Sequence, residues 1–94
     1  MRDYELAVVF SPEIAEEDLP GEIDKVSQLI AQKGGAPGEA NRWGRRKLAY
    51  PLKKFREGNY VLTPLKIDPD AAPELDKSLR GFEQILRYLL VRVE

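Results

Sequence analysis

Basic side chains crowded into one short stretch are the feature of this sequence that most clearly points to chemistry. Seven arginines and lysines, and no acidic residue, lie between positions 42 and 56. The whole chain nevertheless has a net charge of −1, so this stretch is a local positive pole. A few lysines on an edge strand would suffice to prevent aggregation. Seven cations exceed that need and favour an anionic partner.

Four aromatic residues lie within or just after the basic stretch: Trp43, Tyr50, Phe55 and Tyr60. An exposed aromatic ring can stack on an unpaired base, worth about 1–3 kcal/mol, although aromatic side chains in strands usually pack in a core. Residues 56–61 loosely match the third-strand motif of RNA-recognition domains, but Glu57 and Asn59 break it. A free-standing reader of single-stranded RNA is therefore an alternative interpretation.

Several kinds of catalysis are disfavoured by the residue types that the chain lacks. It has no cysteine and no histidine, which removes disulfides, thiolate and imidazole metal ligands and the usual nucleophile–base pairs. Gly34 and Gly35 follow a predicted helix instead of opening one, unlike a phosphate-binding loop. A small acyl phosphate hydrolase would bind an anion after the first strand, where Glu13 would repel it. We predict no catalytic residue, metal site, cofactor or small-molecule substrate.

The length and the apolar runs of the chain predict one soluble domain. Residues 1–94 provide one hydrophobic core and no second domain. The apolar runs fall far short of the ~20 residues that a membrane-spanning helix needs. The acidic residues among the first five positions are unlike an export signal. We expect a cytoplasmic protein with no membrane partner.

Hydrophobic periodicity predicts six elements that must position the basic stretch. The predicted strands cover residues 4–10, 42–52, 59–67 and 85–93, and the predicted helices cover residues 16–33 and 71–82. A five-residue loop, 53–57, would join the two middle strands as a hairpin. Two amphipathic helices need a sheet to cover, and right-handed crossovers then give a ferredoxin-like α+β sandwich (βαββαβ) with a four-stranded antiparallel sheet. The basic strand is then an edge strand.

The sheet face opposite the helices is predicted to be apolar and uncovered. Strand alternation places five residues on it: Ala7, Val9, Tyr60, Leu62 and Pro64. An uncovered apolar face often binds another protein, so a protein partner is a third interpretation. Pro64 also removes a backbone donor from an inner strand, which predicts a bulge or an unpaired stretch there.

Several blocks of this sequence are distinctive: Met-Arg-x-Tyr-Glu at the start, Gly-Gly after the first helix, Trp-Gly-Arg-Arg-x-Leu-Ala-Tyr-Pro at 43–51, and residues 58–62 and 85–92. Taken together, they strongly resemble the family of bacterial small-subunit ribosomal protein six. The resemblance covers essentially the whole chain. It implies a ferredoxin-like fold, a heterodimer with small-subunit ribosomal protein eighteen, and joint binding to the central domain of small-subunit ribosomal RNA. It also implies no catalysis and no cofactor.

The resemblance and the charge pattern together indicate the binding residues. Predicted RNA contacts are Arg2, Arg45, Arg46, Lys47, Lys53, Lys54, Arg56, Arg87 and Arg92. Predicted contacts with the partner protein are Trp43, Gly44, Tyr50, Tyr60 and Leu62. For each single basic residue, a solvated surface charge that contributes little is the competing interpretation.

Overall fold

Five strands and two helices make up residues 1–93, which the computed structural model describes. In chain order they are β1 (Arg2–Phe10), α1 (Leu19–Gln32), β2 (Ala36–Pro37), β3 (Asn41–Leu52), β4 (Phe55–Ile67), α2 (Ala72–Leu79) and β5 (Ile85–Arg92). All six predicted elements are present. The short strand β2 was not predicted, because residues 36–41 read as a turn or weakly extended chain. Neither helix is long and apolar enough to cross a membrane.

The sheet is antiparallel throughout and has the predicted ferredoxin-like order. β1 lies between β4 and β5, and β4 pairs on its other side with β3 and then with β2. The predicted four-stranded sheet therefore has its second strand divided into β2 and β3. β3 lies at one border of the sheet and β5 at the other.

The hydrophobic core lies between one face of the sheet and the two helices. The sheet contributes the alternate residues predicted for it: Tyr4, Leu6, Val8, Phe10, Val61, Leu65 and Ile67. α1 contributes Leu19, Ile23, Val26 and Ile30, and α2 contributes Leu75 and Leu79. The two apolar stripes of the helices thus cover the sheet face predicted for them.

A proline lies in the first turn of each helix. α1 begins at Leu19 and not at residue 16, with Pro20 in its first turn, and α2 likewise has Pro73 in its first turn. A proline has no N–H to donate and is tolerated where that donor has no helical partner. Each proline therefore marks the beginning of its helix.

Pro64 interrupts the sheet on one side of β4 only. The pairing of β4 with β1 continues through Glu5 and Pro64 without a shift of register. On the other side, the carbonyl oxygen of Pro64 accepts a 2.7 Å hydrogen bond from the Gly38 N–H. The N–H that proline lacks would face this same side, at the break between β2 and β3. The interruption predicted at Pro64 therefore falls opposite it, where residues 38–40 belong to neither β2 nor β3.

The hairpin joining β3 to β4 is tighter than predicted. Leu52 pairs with Phe55, so the connection has two residues and not the predicted five-residue loop 53–57. Lys53 and Lys54 have φ angles of 49° and 72°, as in a type I′ turn, whose twist matches that of the adjoining strands. The prediction was wrong because this turn normally contains Asn, Asp or Gly.

Candidate nucleic-acid interface

β3 displays the basic stretch along an open border of the sheet. Ten of its twelve residues are exposed, and Leu48 and Leu52 are partly buried. All seven basic side chains of this stretch, hereafter the basic edge, are exposed: Arg42, Arg45, Arg46, Lys47, Lys53, Lys54 and Arg56. β4 is the strand that pairs with β3 among residues 1–93, so the outer side of β3 is open.

The charges of the basic edge are largely uncompensated by the protein's own carboxylates. Within the described residues, Arg42 forms an ion pair with Glu16, and the other six form none. Arg45 donates a 2.7 Å hydrogen bond to the carbonyl oxygen of Pro12, which fixes its direction without neutralising it. Six cations therefore remain available to an anionic ligand.

A bulge in β3 displays the tryptophan beside the basic edge. Arg42 pairs with Val61 and Gly44 with Tyr60, so Trp43 is an extra residue in the strand. Gly44 has a φ of +86°, which suits glycine. The Trp43 side chain is 55% exposed, and its ring centroid lies 5.8 Å from the guanidinium carbon of Arg46. This cation–π pair forms an exposed flat surface.

The hairpin encloses a groove of about 820 Å³ beside the basic edge. Its lining includes Lys47, Tyr50, Lys54, Phe55, Arg56 and Glu57. The lining thus includes three cations and one carboxylate, together with the exposed ring of Tyr50. This groove, hereafter the hairpin groove, offers both charge and a stacking surface.

The nine predicted RNA-binding residues do not all lie on one surface. Arg87 on β5 reaches the hairpin, because its Nη1 donates a 2.8 Å hydrogen bond to the Tyr50 hydroxyl. Arg2 is at the start of β1, and Arg92 pairs with Tyr4 near that same end of the sheet. At about 3.3 Å per residue, they are roughly 25 Å along the strands from the hairpin end. The structure brings seven of the nine together.

The sheet face opposite the helices is an aliphatic surface. Tyr60 and Leu62 are partly buried on it, while Leu89 and Val91 of β5 are 55% and 46% exposed. The pairing of Leu89 with Ala7 places these two β5 residues on this face. Sequence reasoning missed them because β5 is apolar on both sides and its periodicity is uninformative. Hereafter this surface is the open face.

Fold and surface together define the class of protein. It is a small ferredoxin-like α+β binding module that presents a basic edge and an uncovered aliphatic face. Residues 3–92 match the family described as ribosomal protein S6, and the chain belongs to that family. The resemblance predicted from the sequence is thereby confirmed.

Relatives and a solved structure agree over nearly the whole chain. The small ribosomal subunit protein bS6 of Caldanaerobacter subterraneus is 42% identical, over 100% of this chain and 99% of the relative. That of Heliobacterium modesticaldum is 41% identical, over 98% and 96%. The crystal structure of 30S ribosomal protein S6 from Thermotoga maritima matches with a TM-score of 0.90 at 30% identity, covering 98% of this chain and 87% of that one.

Membership of this family establishes the general role of the chain. It is a structural component of the small ribosomal subunit and not an enzyme. The expected cytoplasmic location is also confirmed, since the bacterial small subunit works in the cytoplasm.

Proposed function

We propose that this chain binds small-subunit ribosomal RNA through the basic edge while the open face holds small-subunit ribosomal protein eighteen. The observation that carries the proposal is the availability of six basic side chains on one exposed strand and turn, free of carboxylate partners within residues 1–93. Each cation that meets a phosphate releases counterions, which drives binding.

The overall charge of the chain makes a protein partner important for affinity. At −1, the isolated chain has little long-range attraction for a polyanion. A small basic partner on the open face would extend the positive surface and add phosphate contacts. We therefore expect the pair of proteins to bind RNA more tightly than this chain does alone.

The composition of the open face supports a protein ligand more than a base-stacking one. Leu62, Leu89 and Val91 supply aliphatic area, and Tyr60 is the aromatic residue among them. RNA-recognition domains stack two or three bases on aromatic side chains of the corresponding face. Here a single aromatic ring lies among aliphatic side chains such as Leu89 and Val91, and exposed aliphatic area of this kind is typical of the apolar centre of a protein interface.

Asn59 also argues against the alternative of a free-standing single-stranded RNA reader. It is buried, and its Nδ2 donates a 3.2 Å hydrogen bond to the carbonyl oxygen of Ser11. It therefore fastens β4 to the end of β1 and does not present itself to a base. Tyr60 keeps the alternative testable, because its ring lies on the open face.

The test is a salt titration of binding to a fragment containing the central domain of small-subunit ribosomal RNA. The chain is measured alone and with small-subunit ribosomal protein eighteen, and adding the partner should raise the affinity and steepen the salt dependence. Replacing Arg45, Arg46 and Lys47 by alanine should reduce the slope of log K against log[salt] by about 0.7–0.9 per lost phosphate contact. Tight binding at physiological salt without the partner contradicts the proposal.

A matched control removes the same charge elsewhere on the surface. Lys25, Lys33 and Lys77 lie on or beside the two helices, away from the basic edge. Replacing these three by alanine should leave the salt slope unchanged. Tyr60→Ala separates the two candidate functions: loss of RNA binding by the isolated chain supports the reader, and loss of the protein partner supports our proposal.

A further inference from the structure

The turn at the tip of the hairpin has two lysines where glycine or asparagine would fit better. Lys53 and Lys54 both have positive φ angles, 49° and 72°, a region that disfavours residues with a Cβ atom. Type I′ turns have a strong preference for Asn-Gly and Asp-Gly for this reason. Backbone strain of this kind is typical of functional positions. The positive φ angles therefore direct attention to what the two lysine side chains contact.

The two lysines line different depressions on the protein surface. Lys54 lines the hairpin groove together with Lys47 and Arg56. Lys53 lines a separate recess of about 300 Å³, which also includes Arg80 and Arg87. This second depression, hereafter the tip recess, lies between the end of α2 and the start of β5. The turn is thus the ridge between two basic depressions.

Arg80 is a cation of the tip recess that sequence reasoning did not single out. Its Nε donates a 3.2 Å hydrogen bond to the Tyr88 hydroxyl, and its Nη2 donates a 3.1 Å hydrogen bond to Asp76 Oδ2. The hydrogen bond to Tyr88 and the nearby Asp76 raise the pKa of Arg80 above its ordinary value. Three of its five N–H donors remain unused within the described residues. The guanidinium, oriented by Tyr88 and Asp76, can therefore still donate hydrogen bonds to an anion.

The tip recess has a positive character. Lys53, Arg80 and Arg87 contribute to its lining, and none of its lining residues is acidic. Asp76 neutralises part of the charge of Arg80 from outside the recess. Arg87 donates one hydrogen bond to the hydroxyl of Tyr50, which lines the hairpin groove. Because Tyr50 lines the hairpin groove and Arg87 lines the tip recess, this hydrogen bond joins the two depressions.

We propose that the RNA backbone crosses the Lys53–Lys54 turn from the hairpin groove into the tip recess, where Arg80 contacts a phosphate. This inference rests on the proposed RNA-binding function and adds a path and a residue to it. Lys54 contacts the RNA backbone in the hairpin groove, and Lys53 contacts it in the tip recess. Arg80 and Arg87 bind its phosphates on the side of β5.

The first test replaces the turn by the sequence that its backbone prefers. The double variant Lys53→Asn with Lys54→Gly relieves the strain and should raise the thermal midpoint by about 4 °C or more. RNA binding, measured with the partner protein present, should weaken about tenfold, and the salt slope should fall by about one to two. A more stable variant that binds RNA like the wild type overturns the proposal.

The second test isolates Arg80 and separates charge from structure. Arg80→Gln should weaken RNA binding and reduce the salt slope by about one, whereas Lys77→Ala, in the last turn of the helix that Arg80 follows, should change neither. Arg80→Lys keeps the positive charge and should restore most of the binding. If Arg80→Gln binds normally, or if Arg80→Lys is as weak as Arg80→Gln, Arg80 does not contact a phosphate.

Comparison with the β3 variants shows which of the two proposals has failed. If replacing Arg45, Arg46 and Lys47 weakens binding while the turn and Arg80 variants bind normally, the proposed RNA path over the turn is wrong. RNA binding by the basic edge is then still supported. If none of these variants affects binding, the RNA-binding function itself is wrong.

Discussion

Tyr50 accepts a 2.8 Å hydrogen bond from Arg87, 37 positions further along the chain. The contact links the exposed arm of the hairpin to the border strand on the far side of β1. It matters because the β3–β4 pairing shifts between Lys47 and Leu52, so the sheet ladder alone does not hold this arm. A tertiary contact therefore helps to orient the basic hairpin.

The Tyr50–Arg87 pair should show coupling in a double-mutant cycle. Tyr50→Phe and Arg87→Leu should each lower the free energy of unfolding by up to about 1 kcal/mol, because one exposed hydrogen bond is lost. The double variant should lose little more than either single variant. Urea denaturation of the four proteins measures this, and strictly additive losses would contradict the coupling.

Gly44→Ala should destabilise the protein through its backbone alone. A Cβ at this position would meet no atom within 4 Å, yet φ is +86°, a conformation that costs about 1–2 kcal/mol for a residue with a side chain. Gly21→Ala is the control, since Gly21 lies within α1 and its Cβ would also meet nothing within 4 Å. It should stabilise by about 0.5–1 kcal/mol. Thermal unfolding should therefore shift in opposite directions for the two variants.

Gly58→Ala should destabilise the protein by overpacking. The added Cβ would collide with Cγ1 of Val9 and lie 3.2 Å from the carbonyl oxygen of Phe10. A collision with a stiff β-branched side chain costs about 1–3 kcal/mol in a packed region. Adding Val9→Ala should recover part of that loss in denaturant unfolding. If Val9→Ala worsens the variant by its full independent amount, steric overlap is not the cause.

Tyr88→Phe should loosen the attachment of α2 to β5. The Tyr88 hydroxyl accepts a hydrogen bond from Arg80 and donates one of 3.1 Å to the carbonyl oxygen of Asp76. Removing it should lower the free energy of unfolding by about 1 kcal/mol. The control is Tyr60→Phe, because the Tyr60 hydroxyl forms no side-chain hydrogen bond in the described part of the chain. Equal stabilities of the two variants in urea would contradict this role.

The fold could be predicted because, in each long element, several residues indicate the same buried face. The alternation along β1 and β4 and the spacing of Leu19, Ile23 and Val26 each require one particular buried face. Pro20 indicates a late start of the first helix, and α1 does begin at Leu19. The error lay at the hairpin, where Lys53 and Lys54 form a two-residue turn in place of the predicted loop 53–57.

The candidate site was predicted less completely than the fold. The basic stretch was predicted to follow an edge strand, and the structure places it there, because the order of the elements fixes which strand is outermost. Arg2 and Arg92 were predicted as RNA contacts together with it, yet they lie near the other end of the sheet. The surface on which a charged side chain lies depends on how the strands pair, and the charge pattern of the sequence does not give that pairing.

By itself, the sequence determined the family, the ferredoxin-like order of elements and the concentration of positive charge between positions 42 and 56, since these depend on local patterns. Only the tertiary structure decided which cations share a surface, which residues of β5 face outward and that Arg80 lies near the hairpin tip. The physical reason is that strand register and side-chain contacts join residues far apart in the chain, such as Arg87 with Tyr50 and Leu89 with Ala7.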